Sequence, residues 1–428
     1  MRVLVVGGGG REHAIVSALG RSPRVDEILC TPGNGGTATE PRVRNVSASG
    51  AGGSGVDALV ELAVAERVDL AVIGPEDPLV DGAVDRLVAA GVPAFGPVAA
   101  AARLEGSKSW SKAAMERWAI PTAASATFTD PEAAIAHLRA HDGMPPVVKA
   151  SGLAAGKGVV VADTLADAED AVRACLVEGR FGDAGREVVI EERLVGPEVS
   201  VLAFCDGTDV VVMPPAQDHK RLGDADAGPN TGGMGAFVPS PIVDDDVVAE
   251  VERTVLRPVL DGFAAEGTPY VGVLYAGLML TAAGLRVLEF NCRFGDPETQ
   301  AVLPLLESDL VDVIEACLAG RLAATEVRWS TDASAAVVMA SGGYPGSYPT
   351  GLEISGIDAA VGPDRVVFHA GTRRVGDRLE TSGGRVLAVS ATGRVLAEAV
   401  RSAYEGVDQI SFEGAVWRRD IGIPGVTT

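Results

Sequence analysis

The chain has 428 residues, 47% of them hydrophobic, with a formal net charge of −22. That length suggests roughly three domains with cores of their own. The acidity argues against non-specific nucleic-acid binding and against docking on an anionic membrane, both of which want clustered Lys and Arg. Cys30, Cys175, Cys205, Cys292 and Cys317 are scattered and form no CxxC pair, so neither a zinc site nor a disulfide framework is indicated and a reducing cytoplasm fits. The apolar run of MRVLVVGGGG is too short for a signal peptide, and no run approaches the ~20 apolar residues of a membrane span.

Arg2–Val6 reads as a buried strand, Gly7–Gly10 as a turn and Arg11–Leu19 as a helix. A helix start beside a glycine turn binds anions. A dinucleotide fold is disfavoured, because the glycines are consecutive, Glu12 occupies the sixth position, and the second strand, Glu27–Cys30, runs into Pro32-Gly33-Asn34-Gly35-Gly36 with no acidic residue for a ribose. Helices at Val56–Glu66 and Leu79–Ala90 alternate with strands at Leu70–Ile73 and Val92–Phe95, which predicts a doubly wound parallel sheet with its crevice at the strands' carboxyl ends. Gly50–Gly55 reads as a surface loop.

One helical pattern covers Ala99–Trp118. Beyond Pro121 a small α+β unit follows, with helices at Glu132–Ala140 and Leu165–Glu178 and a strand at Glu187–Ile190. His137 and His141 have metal-capable i,i+4 spacing, but no third ligand accompanies them and an exposed pair is the better reading. Within this unit Pro146–Lys149 and Val159–Ala162 read as strands joined by a loop with Gly152, Gly156 and Gly158. Lys149 and Lys157 bracket the loop, and such a hairpin can lay N–H groups and ammonium groups over a polyphosphate. It is no Walker A loop, since three residues separate Gly152 from Gly156 and Gly158 follows Lys157. Of 36 basic residues only Lys108, Lys112, Lys149, Lys157 and Lys220 are lysines, so two of the few compact point charges fall here.

Strands return between Ser200 and Leu288, framing Gln217–Arg221 and Gly228–Gly235. In Arg286–Arg293, period-two alternation puts Glu289 and Asn291 on one face and Leu288 and Phe290 on the other. Two oxygen ligands beside a triphosphate suit Mg²⁺. The same alternation points Cys292 away from them. After Asp332 come strands at Ala335–Ala340, Val366–Ala370 and Gly384–Ser390 and a helix at Val395–Tyr404, a third compact α+β unit with no catalytic set of its own.

Together these residues resemble the ATP-grasp superfamily and, within it, the phosphoribosylamine–glycine ligases. The matching stretches are GGGGREHA from Gly7, PGNGGTA from Pro32, GPEDPLV from Gly74, LEGSK from Leu104, KASGLAAGKGV from Lys149, IEERLVGPE from Ile190, QDHKR from Gln217, GPNTGGMG from Gly228 and EFNCRFGDPETQ from Glu289. Ser151 stands where the family commonly has Asp.

The resemblance implies an N-terminal substrate domain over 1–103, an ATP-grasp domain over 104–331 with a mobile lid at about 121–195, and a C-terminal domain over 332–428. It implies ATP and Mg²⁺ or Mn²⁺, glycine and 5-phosphoribosylamine as substrates, a glycyl-phosphate intermediate, and a monomeric cytoplasmic enzyme. Other ATP-grasp ligases or carboxylases with a different acid or amine stay open at this point. Lys108, Lys149, Lys157 and the Gly156–Gly158 loop are then expected at the phosphates, Glu191, Glu192 and Leu194 at adenine, Glu198 at the ribose, and Glu289 and Asn291 at the metal. Arg293 is expected at the transferred phosphoryl or the glycine carboxylate, and Asp218, Asn230 and Thr231 at glycine or the amine. Gly9, Gly10, Arg11, Gly36 and Glu76 are expected at phosphoribosylamine.

Overall fold

A computed structural model describes residues 1–48, 55–154 and 157–423. Five parallel strands open the chain, in the spatial order Val43–Asn45, Glu27–Pro32, Arg2–Gly7, Leu70–Ile73 and Ala94–Phe95. Val3, Leu4 and Val5 are buried, as a sheet covered by helices on both faces requires. The turns after Gly7, Pro32 and Ile73 meet at the carboxyl edge, where strand order reverses. The loop expected at Gly50–Gly55 lies outside the described residues except for Gly55, and Gly156 lies outside them too.

Two expected helices are broken. Leu79–Ala90 is Glu76–Val80 followed by Ala83–Ala89, because Gly82 takes a left-handed conformation, φ +82°, between them. Ala99–Trp118 divides into Ala99–Gly106 and Lys108–Arg117 at Ser107, whose backbone is extended and whose hydroxyl accepts the Trp110 N–H. Serine competes with helix continuation by capping the next helix. The break makes Lys108 the first residue of the new helix, where its N–H donates to the Ser151 carbonyl at 2.8 Å.

The small unit is a four-stranded antiparallel sheet, Ser125–Phe128, Val188–Glu191, Val147–Ala150 and Val159–Val161 in spatial order, covered by helices Pro131–Arg139 and Leu165–Leu176. Ile135, Leu138, Val148, Val172, Val188 and Ile190 close a core of their own. The edge strand Ser125–Phe128 has no clear alternation and escapes a reading by pattern. His137 packs its ring on Phe128, and exposed His141 hydrogen-bonds the Met144 carbonyl.

The central sheet runs Val210–Val212, Glu198–Asp206, Val271–Thr281, Gly284–Asn291, all antiparallel. Its core is continuous with that of the N-terminal sheet: Val201, Leu274 and Val287 share one cluster with Leu4, Leu29 and Ile73. The last sheet mixes distant segments, in the order Gln217–Asp218, Gly235–Val238, Ala333–Ala340, Arg385–Gly393 and Arg365–His369. The loops beginning at Gln217 and Gly228 are thereby pinned against the C-terminal strands. Helix Leu396–Val407 buries Ala399, Ala403 and Val407 on that sheet.

Candidate active site

Lys149 is the last but one residue of its strand and is buried. Its ammonium pairs with Glu191 at 2.9 Å and donates to the Leu288 carbonyl at 3.1 Å. Glu191 lies inside its strand, where the sequence placed it after the strand's end. Its carboxylate is buried and faces two lysines, Lys149 and Lys112 at 3.4 Å, so its side chain is engaged with lysine and only its backbone is left for a ligand. Lys112, given no role from sequence, also bonds Thr122 Oγ1 at 2.8 Å, and burial lowers it to about 8 against the pull of Glu191. Lys108 donates to the Gly152 carbonyl at 3.3 Å, and burial lowers its pKa while Glu289 opposes that.

The strand alternation predicted around Glu289 fails at one residue. Gly277 faces Glu289 and Leu278 faces Val287, so Leu288 is the extra residue of a bulge. A bulge re-aims side chains at the edge of a site. Val287 and Phe290 enter the core and Leu288 does not, while the freed Leu288 carbonyl receives Lys149. Burial works against charge at Glu289, yet Lys220, Lys149, Lys108 and Arg293 together hold its pKa below the ordinary carboxylate value. Lys220, another residue sequence reasoning left without a role, bridges Glu198 at 2.9 Å and Glu289 at 4.0 Å. Among the described residues no three His, Cys, Asp or Glu side chains gather to hold a metal. The Glu289–Asn291 pair, one carboxylate and one amide oxygen, fits an ion that takes one or two protein oxygens and keeps phosphate and water. Cys292 points into the core, its thiol toward the Ala101 and Ala102 carbonyls.

Arg293 joins the central sheet to the N-terminal unit. Its guanidinium contacts Glu105 at 2.9 Å and Glu76 at 3.2 Å. Arg11 reaches Glu76 at 3.8 Å and Glu12 at 2.5 Å. Burial would raise Glu76, but Arg293 and Arg11 outweigh it and hold the carboxyl at about 2. Beside this chain lies a buried network: the Ser200 hydroxyl meets Asp218 at 3.3 Å, Tyr275 at 2.9 Å and Glu298 at 3.3 Å, and the Tyr275 hydroxyl donates to Glu298 at 3.1 Å. Burial pushes Asp218 up to about 7, with Lys220 opposing and Glu298 and Glu198 reinforcing. Glu298, buried in GDPETQ, had no reading from sequence.

Of the other expected residues, Thr231 is fixed by both N–H and hydroxyl on the Lys220 carbonyl, each 2.8 Å. Asn230 ends the short strand Ala227–Asn230 opposite Arg221. The chain leaves the sheet at Glu191, so Glu192 and Leu194 lie beyond the ladder. Lys157 is exposed, and Gly158 is packed so that a Cβ would stand 2.8 Å from Ala154 Cβ.

A cavity of about 410 Å³ separates Gly8, Gly9, Pro32 and Gly33 from Ala370, Gly371, Thr372, Ser382 and Arg385, with Asp296 at its edge. Gly9 is thus the one expected amine-site residue on its wall. Gly10 lies beneath, 2.6 Å from Gln300 Nε2 to a notional Cβ, and Gly36 is wedged between His13 and His369. Arg385 pairs with Asp296 at 2.9 Å and contacts the Gly232 carbonyl; nothing in its local sequence marked it.

A parallel α/β unit, a two-layer unit whose lysine hairpin faces a carboxylate–amide strand, and a cavity between the parallel unit and the C-terminal strands define an ATP-grasp enzyme. Family models for phosphoribosylglycinamide synthetase match its N domain at 1–105, its ATP-grasp domain at 106–299 and its C domain at 334–424. The chain is 51% identical over 423 residues to the phosphoribosylamine–glycine ligase of Vibrio cholerae, covering 99% of this chain and 98% of that one. It is 49% identical to a human trifunctional purine biosynthetic protein, covering 42% of that longer chain. The crystal structure of a phosphoribosylamine–glycine ligase from Thermotoga maritima superposes with a TM-score of 0.85 at 34% identity, over 98% of this chain and all of that one. A biotin carboxylase from Campylobacter jejuni shares the fold, TM-score 0.72, at 14% identity over 97% of this chain and 92% of that one. The chain belongs to the phosphoribosylamine–glycine ligase family.

Proposed function

We infer that the chain joins the carboxylate of glycine to the amine of 5-phosphoribosylamine, with ATP giving ADP and phosphate, to form glycinamide ribonucleotide in purine biosynthesis. The observation that carries the reading is the convergence of Lys108, Lys149, Lys220 and Arg293 on Glu289, on the segment whose Asp296 lines an inter-domain cavity. An anionic carboxylate must approach an anionic triphosphate, so fixed positive charge and positioning do the work. Lys108 and Lys149 hold the phosphates, with Lys157, Gly156 and Gly158 over them. The Glu192 carbonyl and Leu194 N–H take the adenine edge and Glu198 the ribose. Glu289 and Asn291 are the residues that would hold Mg²⁺ or Mn²⁺; such an ion, when bound, neutralises phosphate charge.

On this reading the glycine carboxylate attacks the γ-phosphorus and glycyl phosphate forms; the amine then displaces phosphate. Arg293 stabilises the anionic oxygens in both steps, and Glu76 and Glu105 fix the guanidinium's aim. Asp218, Asn230 and Thr231 orient glycine or the amine, and Gly9, Gly10, Arg11, Gly36 and Glu76 form or back the phosphoribosylamine site. Residues 1–103 then serve the amine, 104–331 the nucleotide and 332–428 the outer wall, with Gly235–Val238 lent to the last sheet. The working unit is one cytoplasmic chain acting on small molecules. Among the described residues no helix is long and apolar enough to cross a membrane.

The test is ADP release with ATP, Mg²⁺, glycine and freshly generated phosphoribosylamine, omitting one at a time. Release should require all of them. A rate with the full set no higher than with ATP alone overturns the reading.

A further inference from the structure

His13 and Asn34 have no part in the chemistry above and do not line the cavity, yet both are buried polar side chains bonded to the turns that do. Each grips the same residue from the other side of the domain junction. The His369 N–H donates to His13 Nδ1 at 2.8 Å, and the His369 carbonyl accepts from Asn34 Nδ2 at 2.7 Å. The backbone of His369 is therefore held at both its hydrogen-bonding atoms by side chains of the N-terminal unit.

The grip is braced on both sides. Because Nδ1 accepts, His13 carries its proton on Nε2, which donates to Glu40 at 3.1 Å. Asn34 Nδ2 also reaches the Gly8 carbonyl at 3.1 Å, and its Oδ1 accepts from Gly36 N–H and Thr37 N–H at 2.9 and 3.0 Å. That side chain thus ties the Gly8 turn, its own turn and His369 together. On the far side, the Gly35 N–H donates to the Thr372 carbonyl at 3.0 Å, and Thr372 Oγ1 meets His369 Nδ1 at 3.1 Å. Gly36 has no side chain, and only that lets it lie between the two imidazoles: a Cβ would stand 2.5 Å from atoms of each.

His369 is the last residue of its strand, and the turn that follows, Ala370 to Thr372, is one wall of the cavity. The opposite wall is Gly8, Gly9 and Gly33. We propose that His13 and Asn34 are positioning residues that set the spacing of these two walls by clamping the His369 peptide, and so govern how well the phosphorylated amine is held. The proposal rests on the reading that this cavity receives phosphoribosylamine. Buried bonds of this kind are sensitive to the loss of one partner, since the other is left unsatisfied away from water.

The test is steady-state kinetics on the whole chain with KM measured separately for each substrate. His13→Ala and Asn34→Ala should each raise KM for phosphoribosylamine by about tenfold while KM for ATP stays within about twofold. His13→Asn, which can present an acceptor near the position of Nδ1, should recover most of that loss; His13→Leu, similar in bulk but without an acceptor, should not. A purely structural role would move all the Michaelis constants together and would not separate Asn from Leu. Arg385→Ala, altering the cavity wall directly, serves as reference. If it raises KM for the amine and the His13 and Asn34 variants do not, the clamp is overturned. If it leaves KM for the amine unchanged, the assignment of the cavity is wrong, independently of the clamp.

Discussion

The two halves of the site are built by different means. On the proposed nucleotide side, charge is buried in pairs and threes: Lys112–Glu191–Lys149, and Glu105–Arg293, with Glu76 linking Arg293 to the proposed amine side. On the amine side the walls are glycine backbone, held by neutral hydrogen bonds from His13 and Asn34 with Arg385 at the edge. A triphosphate needs fixed cations whose own charge is compensated when the ligand is absent, and the buried carboxylates supply that. A sugar phosphate in a narrow crevice needs backbone to come close. Damage on the first side should therefore appear in turnover and stability together, and damage on the second mainly in one Michaelis constant.

The largest effect expected is from Lys149→Ala. It removes a phosphate ligand and leaves Glu191 with Lys112 alone, so kcat should fall by at least about a thousandfold and unfolding stability by about 3 kcal/mol. Lys149→Met with Glu191→Leu and Lys112→Met, which replaces the whole triad and leaves no buried charge unpaired, should recover much of the stability in urea melts and none of the rate. Recovery of both would remove Lys149 from the phosphates.

Glu289→Gln combined with Asn291→Ala should come next, abolishing turnover at physiological Mg²⁺ and lowering stability by about 1 kcal/mol, less than Lys149→Ala because Glu289 is partly exposed. Near-normal rates would exclude the pair from the metal site. On the amine side, Arg385→Ala should raise KM for phosphoribosylamine by about 30-fold, the loss of a charge-assisted contact, with KM for ATP nearly unchanged. An equal rise in both would erase the distinction between the halves.

The smallest effect expected is in pH dependence, where a neutral buried group and a charged one should separate. Burial, then His13 and Arg374, lower His369 to about 3 from an ordinary 6.5. The unfolded chain thus takes up this proton first, so the stability from neutral His369 is complete above about pH 6.5 and declines below it, by about 2 kcal/mol on reaching pH 5. Glu76, held at about 2 against an ordinary 4.5, contributes fully above pH 4.5 and loses its share only between there and 2. Melts of His369→Gln should be flatter between pH 6.5 and 5, and those of Glu76→Gln flatter only below 4.5. Coincident windows would contradict the assignment of the two groups.

Much of this was legible in the sequence wherever one short stretch carries its own physics. The buried parallel strands, the lysine hairpin and the Glu289–Asn291 pair are local patterns of polarity and period. Lysine scarcity is a further signal: Lys112 and Lys220 belong to the same charged cluster as Lys108 and Lys149. The errors fall where one residue overrides a period. Ser107 and Gly82 each end a helix that hydrophobic spacing would continue, and Leu288 adds a residue to a strand whose alternation looked regular.

The chain's own order of residues determined the family and the fold class, because glycines, lysines and strand periods act through their immediate neighbours. Only the tertiary structure decided what compensates the buried charge and what closes the inter-domain cavity. Glu191 meets Lys112, Arg293 meets Glu76, and His13 meets His369 across separations of 79, 217 and 356 residues. Contacts of that reach leave no periodic trace in sequence, since the spacing between partners is set by how the sheets pack and not by the rise of any one helix or strand.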